Sequence, residues 1–520
     1  MDKKIILHLL GNSLSAFAIT FILPIFYAAF YMQNLWTTLF FVVLFIITAV
    51  IGLGFSYFAR NHRRRLPTVE SALSMLLIYP ALALIGVVPF FFFGFLSPLD
   101  AFLDTVSNLT SAGVSLLPSS APYILRLWQS VLMWFGSLIF LILLVTIMPE
   151  IGGCFGTDMI LQKGQNFSPL FGQMLDMTKK IVKVYSVLTL LSVGLFKAAG
   201  LSSWDSILLA MRCISTGGGD FFPARGNLYV EYAAVFTMLM ACGNFLFFYR
   251  LIYTLPPPIS SKPRPFSLFH PSTYFNIFFR SINYFKRLKQ NIFDNIGTFF
   301  TNSEVKAIVL IIFFGVGFIF LSTFHRGLIE DGNKAFRYAV FHVLSFMSTT
   351  GITLGEIDKS HDFDRFLIFM MAIFGGCMGS VTGGLKMLRV IILAKVAAEE
   401  VKKTMHPHML TSIRVNKMVV PEKIVGRVLG FFFLCCITLF VCSAILSFSG
   451  SDFSEAVAIS AACLTHVGIL PGICDPSDFL ELSTAGKIFC AIILVVGRVE
   501  IFALLLIPAG FRFRKKNKRW

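Results

Sequence analysis

Long apolar stretches alternate with short polar connections along nearly the whole chain. Ten of these stretches approach or exceed the roughly 20 residues that one helix needs to cross a bilayer. The predicted spans lie at about 5–32, 36–58, 70–95, 126–149, 180–200, 229–254, 305–323, 364–395, 426–448 and 485–508. The pattern therefore predicts an all-α integral membrane protein that crosses the membrane many times.

Four short segments, each between two of these stretches, align with one another without a gap. They are DAFLDTVSNLTSAG at 100–113, DSILLAMRCISTGG at 205–218, YAVFHVLSFMSTTG at 338–351 and EAVAISAACLTHVG at 455–468. Each segment ends in glycine and has a hydroxyl residue three positions earlier, namely Thr110, Ser215, Ser348 and Thr465. The first two spans have no such segment between them. The chain therefore divides into two extra transmembrane helices followed by four span–segment–span repeats.

The repeated segments predict an ion pore. Non-helical backbone at membrane depth must be buried in protein or line a water-filled cavity, so each segment is expected to be a half-helix followed by an extended strip that faces a common axis. Four strips around a pseudo-fourfold axis can replace the water around a monovalent cation with backbone carbonyl oxygens. Glycine permits the left-handed geometry and close approach that such strips need. The four hydroxyls would line the entrance to the strips or add ligands.

Composition agrees with this class and narrows the alternatives. The 520 residues are 56% hydrophobic and 14% charged, whereas soluble domains carry about 25% charged residues. The net charge of +17 arises from basic residues clustered between spans, as orientation signals are, and we expect no nucleic-acid partner. Most of the 10 cysteines lie in apolar segments without a C-x-x-C pair, which is typical of small buried side chains.

Lysine and arginine clusters fall on one side of the ten-span arrangement, together with both termini. By the positive-inside rule, this side is the cytoplasm. We divide the chain into a two-helix preface at 1–66, repeat 1 at 67–155, repeat 2 at 156–255, a basic cytoplasmic linker at 256–303, repeat 3 at 304–400, a cytoplasmic linker at 401–425, repeat 4 at 426–511 and a basic cytoplasmic tail at 512–520. The aromatic residues of the first linker fit an interfacial amphipathic helix, and a plain linker equally well.

The outward connections carry more acidic residues than the cytoplasmic ones. An acidic vestibule would concentrate cations. Several of the acids also stand where a half-helix begins, so helix capping explains them as well. They are Asp100, Asp104, Asp205, Asp220, Glu330, Asp331, Glu356, Asp358, Asp452 and Glu455.

A glycine-rich stretch and an isolated arginine stand out within the last repeats. GGCMGSVTGG at 375–384 falls inside a span, where glycines and small polar residues should break the helix. It is either a gate beneath the third strip or a site of close helix packing. Arg498 lies among apolar residues of the last span, and an intramembrane charge is a functional candidate. An ion pair with Glu500 or snorkelling toward the cytoplasm would also explain it.

These features together resemble the TrkH/KtrB family of potassium transporters, and most closely its TrkH branch. The resemblance covers nearly the whole chain and is carried by DAFLDTVSNLTSAGVSLLP with LWQSVLMWFG, by IFGGCMGSVTGGLKMLR at 373–389 and by LVVGRVEIF at 494–502. It implies four M1–pore loop–M2 repeats around one path and potassium uptake across the bacterial inner membrane. It also implies K+ as the transported ion, no cofactor in this chain, a homodimer, and a TrkA-like cytosolic nucleotide-binding regulatory subunit.

Carried over residue by residue, the resemblance implies a selectivity filter and a gate. All four selectivity positions would hold glycine, and in this family that pattern implies selectivity for K+. The filter and its K+ ligands would be Thr110, Ser111, Ala112, Gly113, Ser215, Thr216, Gly217, Gly218, Ser348, Thr349, Thr350, Gly351, Thr465, His466, Val467 and Gly468. The gate would comprise Gly379, Ser380, Thr382, Gly383, Gly384, Lys386 and Arg498. Either Gly217 or Gly218 can be the second selectivity glycine, and the gapless repeat favours Gly218. The chain departs from the family pattern at Gly219, His466 and Ile469, where Phe, Asn and Pro are common.

Two other classes were weighed against a pore. A membrane-embedded metalloenzyme is suggested by His342 and by His406 with His408, but there is no H-E-x-x-H motif, and we expect no enzyme. Alternating-access carriers often have inverted repeats, whereas these four run in the same direction. An ion-coupled Na+/K+ carrier of the same fold is the alternative to a channel-like pore.

Overall fold

The computed structural model describes residues 3–59, 68–146, 171–219, 221–245, 247–248, 297, 301–355, 362–406, 408, 412–416, 418–470 and 474–499. Several predicted features lie outside these residues. They are the basic cluster at 60–65, most of the linker at 256–303, Asp220, Glu356, Asp358, Glu500 and the tail at 512–520.

The preface is a pair of closely packed helices. Its elements are α1 (Lys3–Ala18), a 3-10 turn (Ile19–Phe21), α2 (Ile22–Tyr27), a π-helical turn (Ala28–Met32) and α3 (Leu35–Phe58). The Asn34 side chain caps α3 by accepting the backbone N–H groups of Trp36 and Thr37. A Cβ added at Gly11 would lie 2.6 Å from Ser56 N, so glycine allows α1 and α3 to touch along their backbones.

The described residues of the four repeats are almost entirely helical. Repeat 1 contains α4 (Thr68–Gly86), α5 (Val88–Phe93), α6 (Pro98–Leu109) and α7 (Tyr123–Thr146). Repeat 2 contains α8 (Phe171–Ala198), α9 (Ser203–Ser215) and α10 (Leu228–Cys242). Repeat 3 contains α11 (Ser303–His325), α12 (Gly332–Met347), α13 (Asp362–Phe374) and α14 (Met387–Met405). Repeat 4 contains α15 (Glu422–Phe448), α16 (Phe453–Thr465), α17 (Pro476–Glu481) and α18 (Thr484–Val499).

One small sheet interrupts the helices between repeats 3 and 4. The strands β1 (Arg414–Val415) and β2 (Met418–Val419) pair antiparallel, and Asn416 in the turn is left-handed with φ 51°. This hairpin was not predicted, because a turn between two-residue strands leaves no recognisable alternation.

Seven of the described helical stretches are long and apolar enough to cross a membrane. They are Lys4–Met32, Leu35–Phe58, Ala72–Phe93, Tyr123–Leu144, Thr178–Ala198, Ser303–His325 and Glu422–Phe448. The helix predicted at 229–254 is interrupted, because α10 ends at Cys242 and Gly243 is extended with φ −69° and ψ 161°. Helical backbone resumes at Phe245. The span predicted at 364–395 is broken between α13 and α14, as its glycines indicated.

The four short helices α6, α9, α12 and α16 are the half-helices that the aligned segments predicted. Ser97 and Ser202 cap α6 and α9 by accepting the N–H groups of Asp100 and Asp205. The Asp331 carboxylate caps α12 directly by accepting the N–H of Asn333. Three of the outward acids therefore stabilise helix N-termini, where negative charge is favourable.

The core lies where these short helices pack against the long ones, and lipid-facing apolar side chains remain on the outside. Trp128 of α7 is fully buried, stacks on Phe21 with ring centroids 4.7 Å apart, and donates its indole N–H to Gly86 O at 2.9 Å. The preface is thus attached to repeat 1. Exposed Phe313 and Phe440 lie on the outer helices α11 and α15, as expected for surfaces that face acyl chains.

Candidate functional site

A four-residue strip follows each half-helix, and all four strips have the same unusual backbone. The residue two positions before the final glycine is left-handed in every strip, although it is not glycine. These residues are Ser111 (φ 59°), Thr216 (φ 56°), Thr349 (φ 56°) and His466 (φ 57°). The final glycines Gly113, Gly218, Gly351 and Gly468 are left-handed as well. Because a left-handed non-glycine residue costs roughly 1–2 kcal/mol, four repetitions indicate that the surrounding structure imposes this shape.

The four final glycines form a closed ring of contacts. A Cβ atom added to any of them would overlap the backbone of the next strip, at the residue before that strip's own final glycine. Gly113 meets Gly217, Gly218 meets Thr350, Gly351 meets Val467, and Gly468 meets Ala112. The order 1–2–3–4–1 describes a pseudo-fourfold axis. Within it, Gly218 and not Gly217 occupies the position equivalent to the other three glycines.

The four predicted hydroxyls share one hydrogen-bonding pattern. Each donates its hydrogen to a carbonyl in the last turn of its own half-helix. The bonds are Thr110 to Val106 O at 2.8 Å, Ser215 to Arg212 O at 3.2 Å, Ser348 to Ser345 O at 3.1 Å and Thr465 to Ala461 O at 2.8 Å. Each hydroxyl hydrogen is therefore engaged within its own half-helix, and only the oxygen lone pairs are left for an ion.

His466 is anchored to the last helix. Its Nε2 lies 3.0 Å from Leu494 O in α18, and its ring is buried. A Cβ added to Gly497 would lie 2.8 Å from the His466 ring, so glycine at 497 makes room for the imidazole. His466 thus braces the fourth strip through its side chain.

The predicted break in the third repeat is an irregular loop at residues 375–386, which we call the intramembrane loop. Its glycines Gly375, Gly379 and Gly384 are left-handed, and so is Lys386 with φ 72°. The buried Lys386 ammonium donates to the Thr382 carbonyl and to Ser380 O at 3.2 Å. The loop therefore folds around its own positive charge, which its carbonyl oxygens solvate in place of water.

The helices α10 and α11 hold this loop from outside. Cys377 N donates to Cys242 O at 3.0 Å, at the end of α10. Met378 N donates to the buried Glu304 carboxylate of α11 at 2.7 Å. Glu304 was not predicted from the sequence as part of the site. The signal would have been an acid at the start of a long apolar helix, but helix capping explains such an acid equally well.

The intramembrane loop also touches the third and fourth strips directly. Gly383 N donates to Thr349 Oγ1 at 2.9 Å, and Gly384 N donates to Thr465 O at 3.1 Å. A Cβ added to Gly383 would overlap the Thr465 carbonyl. Glycine at 383 is therefore required for the loop to lie against the strips.

Arg498 reaches the first and second strips. Its Nη1 donates to Val381 O in the intramembrane loop at 3.0 Å, and its Nη2 lies 3.4 Å from both Ser111 Oγ and Ser137 Oγ. Ser137 in turn donates to Ser215 O at 2.8 Å. The side chain is 2% exposed, with its guanidinium carbon 4.1 Å from the Phe140 ring centroid. It therefore does not snorkel. The loop and Arg498 together are hydrogen-bonded to the first, third and fourth strips, and they reach the second strip through Ser137.

A cavity of about 330 Å³ lies beside this arrangement, between the intramembrane loop and α15. Thr382, Lys386, Phe431, His466 and Arg498 are among its lining residues. Most of its lining is apolar side chain. Three cationic side chains, Lys386, Arg389 and Arg498, also line it, and no carboxylate is among its lining residues. The site as a whole contains a ring of carbonyl-rich strips on one side and a positively charged loop on the other.

The chain is similar to known proteins over nearly its whole length. Residues 93–511 match the model of the TrkH family, which is described as "Cation transport protein". The chain is 27% identical over 531 residues to the Trk system potassium uptake protein TrkH of Halomonas elongata, covering 98% of this chain and 100% of that protein. It is 26% identical over 522 residues to TrkH of Escherichia coli, covering 98% of both. The crystal structure of the potassium transporter TrkH from Vibrio parahaemolyticus superposes with a TM-score of 0.78 at 23% identity, covering 98% of both chains, which shows a shared fold.

Proposed function

Since the chain belongs to the TrkH family of cation transport proteins, we propose that it takes up potassium through a channel-like pore whose selectivity filter is the ring of four strips. The observation that carries the proposal is the closed ring in which each final glycine abuts the next strip. Relatives named as potassium uptake proteins support the choice of ion. Glycine at all four ring positions supports it as well.

The ring supplies what a dehydrated cation needs. Carbonyl oxygens of the strips would replace the water around K+, and the negative ends of four half-helix dipoles favour positive charge there. A membrane potential of 100 mV, negative inside, contributes about 2.3 kcal/mol per cation, or roughly a fiftyfold gradient. Potassium entry through this pore therefore needs no further energy source.

The intramembrane loop and Arg498 would be the gate, with the described conformation as its closed state. Hydrogen bonds from Gly383, Gly384 and Arg498 place the loop against the inner side of the strips. The charges of Arg498 and Lys386 oppose a cation at this depth, where the dielectric constant is low. Opening would require both the loop and the arginine to leave the strips.

The family resemblance also supports a membrane location, an oligomeric state and a partner. The protein would lie in the bacterial inner membrane as a homodimer with both termini in the cytoplasm. A TrkA-like nucleotide-binding subunit would dock on the basic cytoplasmic segments and drive the gate. The described part of those segments comprises residues 395–406, 408, 412–416 and 418–427, which include the end of α14, the small hairpin and the start of α15.

Uptake of Rb+ by a bacterium that lacks its own potassium uptake systems tests the proposal. We expect the chain to restore growth at low external K+ and to carry Rb+, and we expect Gly351→Asp to abolish both by blocking the ring. Gly94→Asp is the matched control, because Gly94 is also left-handed (φ 68°) but has open space where a Cβ would be. Equal loss in both variants would contradict the filter assignment.

The same cells separate a pore from the alternative carrier. A pore gives electrical current that follows the K+ gradient, whereas an ion-coupled carrier gives Rb+ uptake that depends on external Na+. If uptake is absent despite membrane expression, the assay is repeated with a co-expressed nucleotide-binding subunit. Continued absence of both Rb+ and Na+ uptake would contradict the proposed function.

A further inference from the structure

One position in the aligned segments breaks the symmetry of the ring. Six residues before the final glycine, the first and third segments have Ser107 and Ser345. The Ser107 hydroxyl accepts the N–H of Val114 at 2.8 Å, and the Ser345 hydroxyl donates to Ile352 O at 2.7 Å. Both serines thus brace the residue that follows the glycine. The second segment has Arg212 at this position, and the fourth has Ala462.

Arg212 is bonded directly to the ring. Its Nη1 donates to the carbonyl oxygen of Gly218 at 3.0 Å, the final glycine of the second strip. Its Nε donates to Ser130 Oγ at 2.8 Å and its Nη2 to Gln129 Oε1 at 3.3 Å, both in α7. The side chain is 1% exposed. A guanidinium is therefore fixed behind the second strip by hydrogen bonds to another repeat.

The residue after Gly218 is Gly219, which leaves room for the Arg212 guanidinium. A Cβ added to Gly219 would lie 3.0 Å from Arg212 Nη1 and 3.2 Å from Gly113 O, and Gly219 is left-handed with φ 76°. The corresponding residues of the other three strips are the β-branched Val114, Ile352 and Ile469. Glycine at 219 and arginine at 212 thus fit each other.

An acidic residue of the first repeat, Asp104, is linked indirectly to Arg212. Gln129 joins the two, because its Nε2 donates to the buried Asp104 carboxylate at 3.0 Å while its Oε1 accepts from Arg212. Asp104 also accepts the N–H of Leu116 at 2.8 Å. The Asp104 carboxylate thus reaches the Arg212 guanidinium only through the Gln129 amide, whereas Gly218 O contacts the guanidinium directly.

We propose that Arg212 is a residue that sets the cation affinity of the filter, by weakening the second strip as a ligand. This rests on the proposed function of the ring. The hydrogen bond occupies one of the two lone pairs of Gly218 O, and the guanidinium charge repels a cation beside it. Ions bound less tightly leave sooner, and conduction needs binding weak enough for release. The filter therefore has three strong strips and one weak strip.

The experiment measures Rb+ uptake against external Rb+ concentration in the potassium-uptake-deficient cells. Arg212→Gln keeps a hydrogen-bond donor without charge, and Arg212→Ser restores the residue of the first and third segments. We expect both to lower the half-saturating Rb+ concentration by about tenfold. Arg212→Lys keeps the charge, and we expect its value to stay within about threefold of that of the unchanged chain.

Arg126→Gln is the matched control. Arg126 lies near the same Phe221 ring, at 5.7 Å from its centroid against 5.2 Å for Arg212, but its guanidinium donates to Ser119 O and not to a strip. We expect no change in half-saturation for this variant. If the Arg212 variants fail to reach the membrane, Asp104→Asn tests the same charge balance in the opposite direction and should raise the half-saturating concentration.

The outcomes are distinguishable. An unchanged half-saturating concentration in a well-expressed Arg212→Gln chain would overturn the inference, as would equal shifts in the Gln and Lys variants. In both cases uptake by the unchanged chain still supports the proposed function. No saturable Rb+ uptake by the unchanged chain, with or without a regulatory subunit, would overturn the proposed function and this inference with it.

Discussion

At the scale of single residues, four glycines occupy positions where no side chain fits. Gly113 shows why, since it is left-handed with φ 77° and a Cβ would overlap the Gly217 carbonyl. We expect Gly113→Ser to displace the first strip from the Gly217 carbonyl and so to distort the ring. A distorted ring fits K+ less well, so Na+ should permeate and inhibit Rb+ uptake in the variant. Competition between the two ions measures this, and Gly94→Ser is the control because its site is open. An unchanged K+/Na+ preference would contradict the role of Gly113.

The role of Arg498 can also be tested by a single substitution. It is buried and donates to Val381 O of the intramembrane loop. We expect Arg498→Ala to raise Rb+ uptake by about tenfold or more, because an intramembrane charge that opposes cations is removed. Lys487→Ala serves as the control, because Lys487 lies in the same helix as Arg498. This substitution breaks an ion pair of 2.6 Å between Lys487 and Asp100. An Arg498→Ala chain that reaches the membrane with unchanged uptake would argue against a gate at this position.

At the scale of elements, the intramembrane loop and the strips form one hydrogen-bonded unit. The hydroxyl of Thr349 accepts the N–H of Gly383, so one atom links the third strip to the loop. Thr349→Val keeps the shape and leaves that N–H without a partner in the closed state, at a cost of roughly 1–3 kcal/mol. We expect basal Rb+ uptake to rise at least about fivefold.

A matched threonine makes this prediction specific. Thr237 is also buried, but its hydroxyl bonds Ala234 O within its own helix at 2.9 Å. Thr237→Val should therefore leave basal uptake unchanged. If the two valine variants behave alike, the bond between Thr349 and the loop has no part in closing the pore.

The elements themselves could be predicted from the sequence, and their contacts could not. Hydropathy and the aligned glycines located the four half-helices and the broken span, because these signals are local in the chain. The bond between Arg498 and Ser111 joins residues 387 positions apart, and no pattern along the sequence specifies such a partner. The hydrogen bonds from Arg212 to Ser130 and Gln129 were missed for the same reason, since they join residues 82 and 83 positions apart. A charged residue in a half-helix that precedes a strip was nevertheless a visible signal.

At the scale of the whole molecule, the chain is strongly basic. The chain carries a net charge of +17, and Lys402 and Lys403 near the end of α14 are about half exposed, at 56% and 47%. We expect an acidic face of a cytosolic nucleotide-binding subunit to dock there. Such docking weakens as salt rises, since the screening length falls from about 10 Å at 0.1 M to about 3 Å at 1 M.

Co-purification of the detergent-solubilised chain with a TrkA-like subunit measures this association. We expect it to persist at about 0.1 M salt and to be lost near 1 M. Replacing both Lys402 and Lys403 by Glu should weaken it at low salt, because two repulsive charges face the acidic partner. Lys197→Glu is the control, since Lys197 lies at the other end of a span, in the last turn of α8. Equal binding of the double variant and the unchanged chain would place the partner elsewhere, and salt-resistant binding would indicate an apolar interface in place of a charged one.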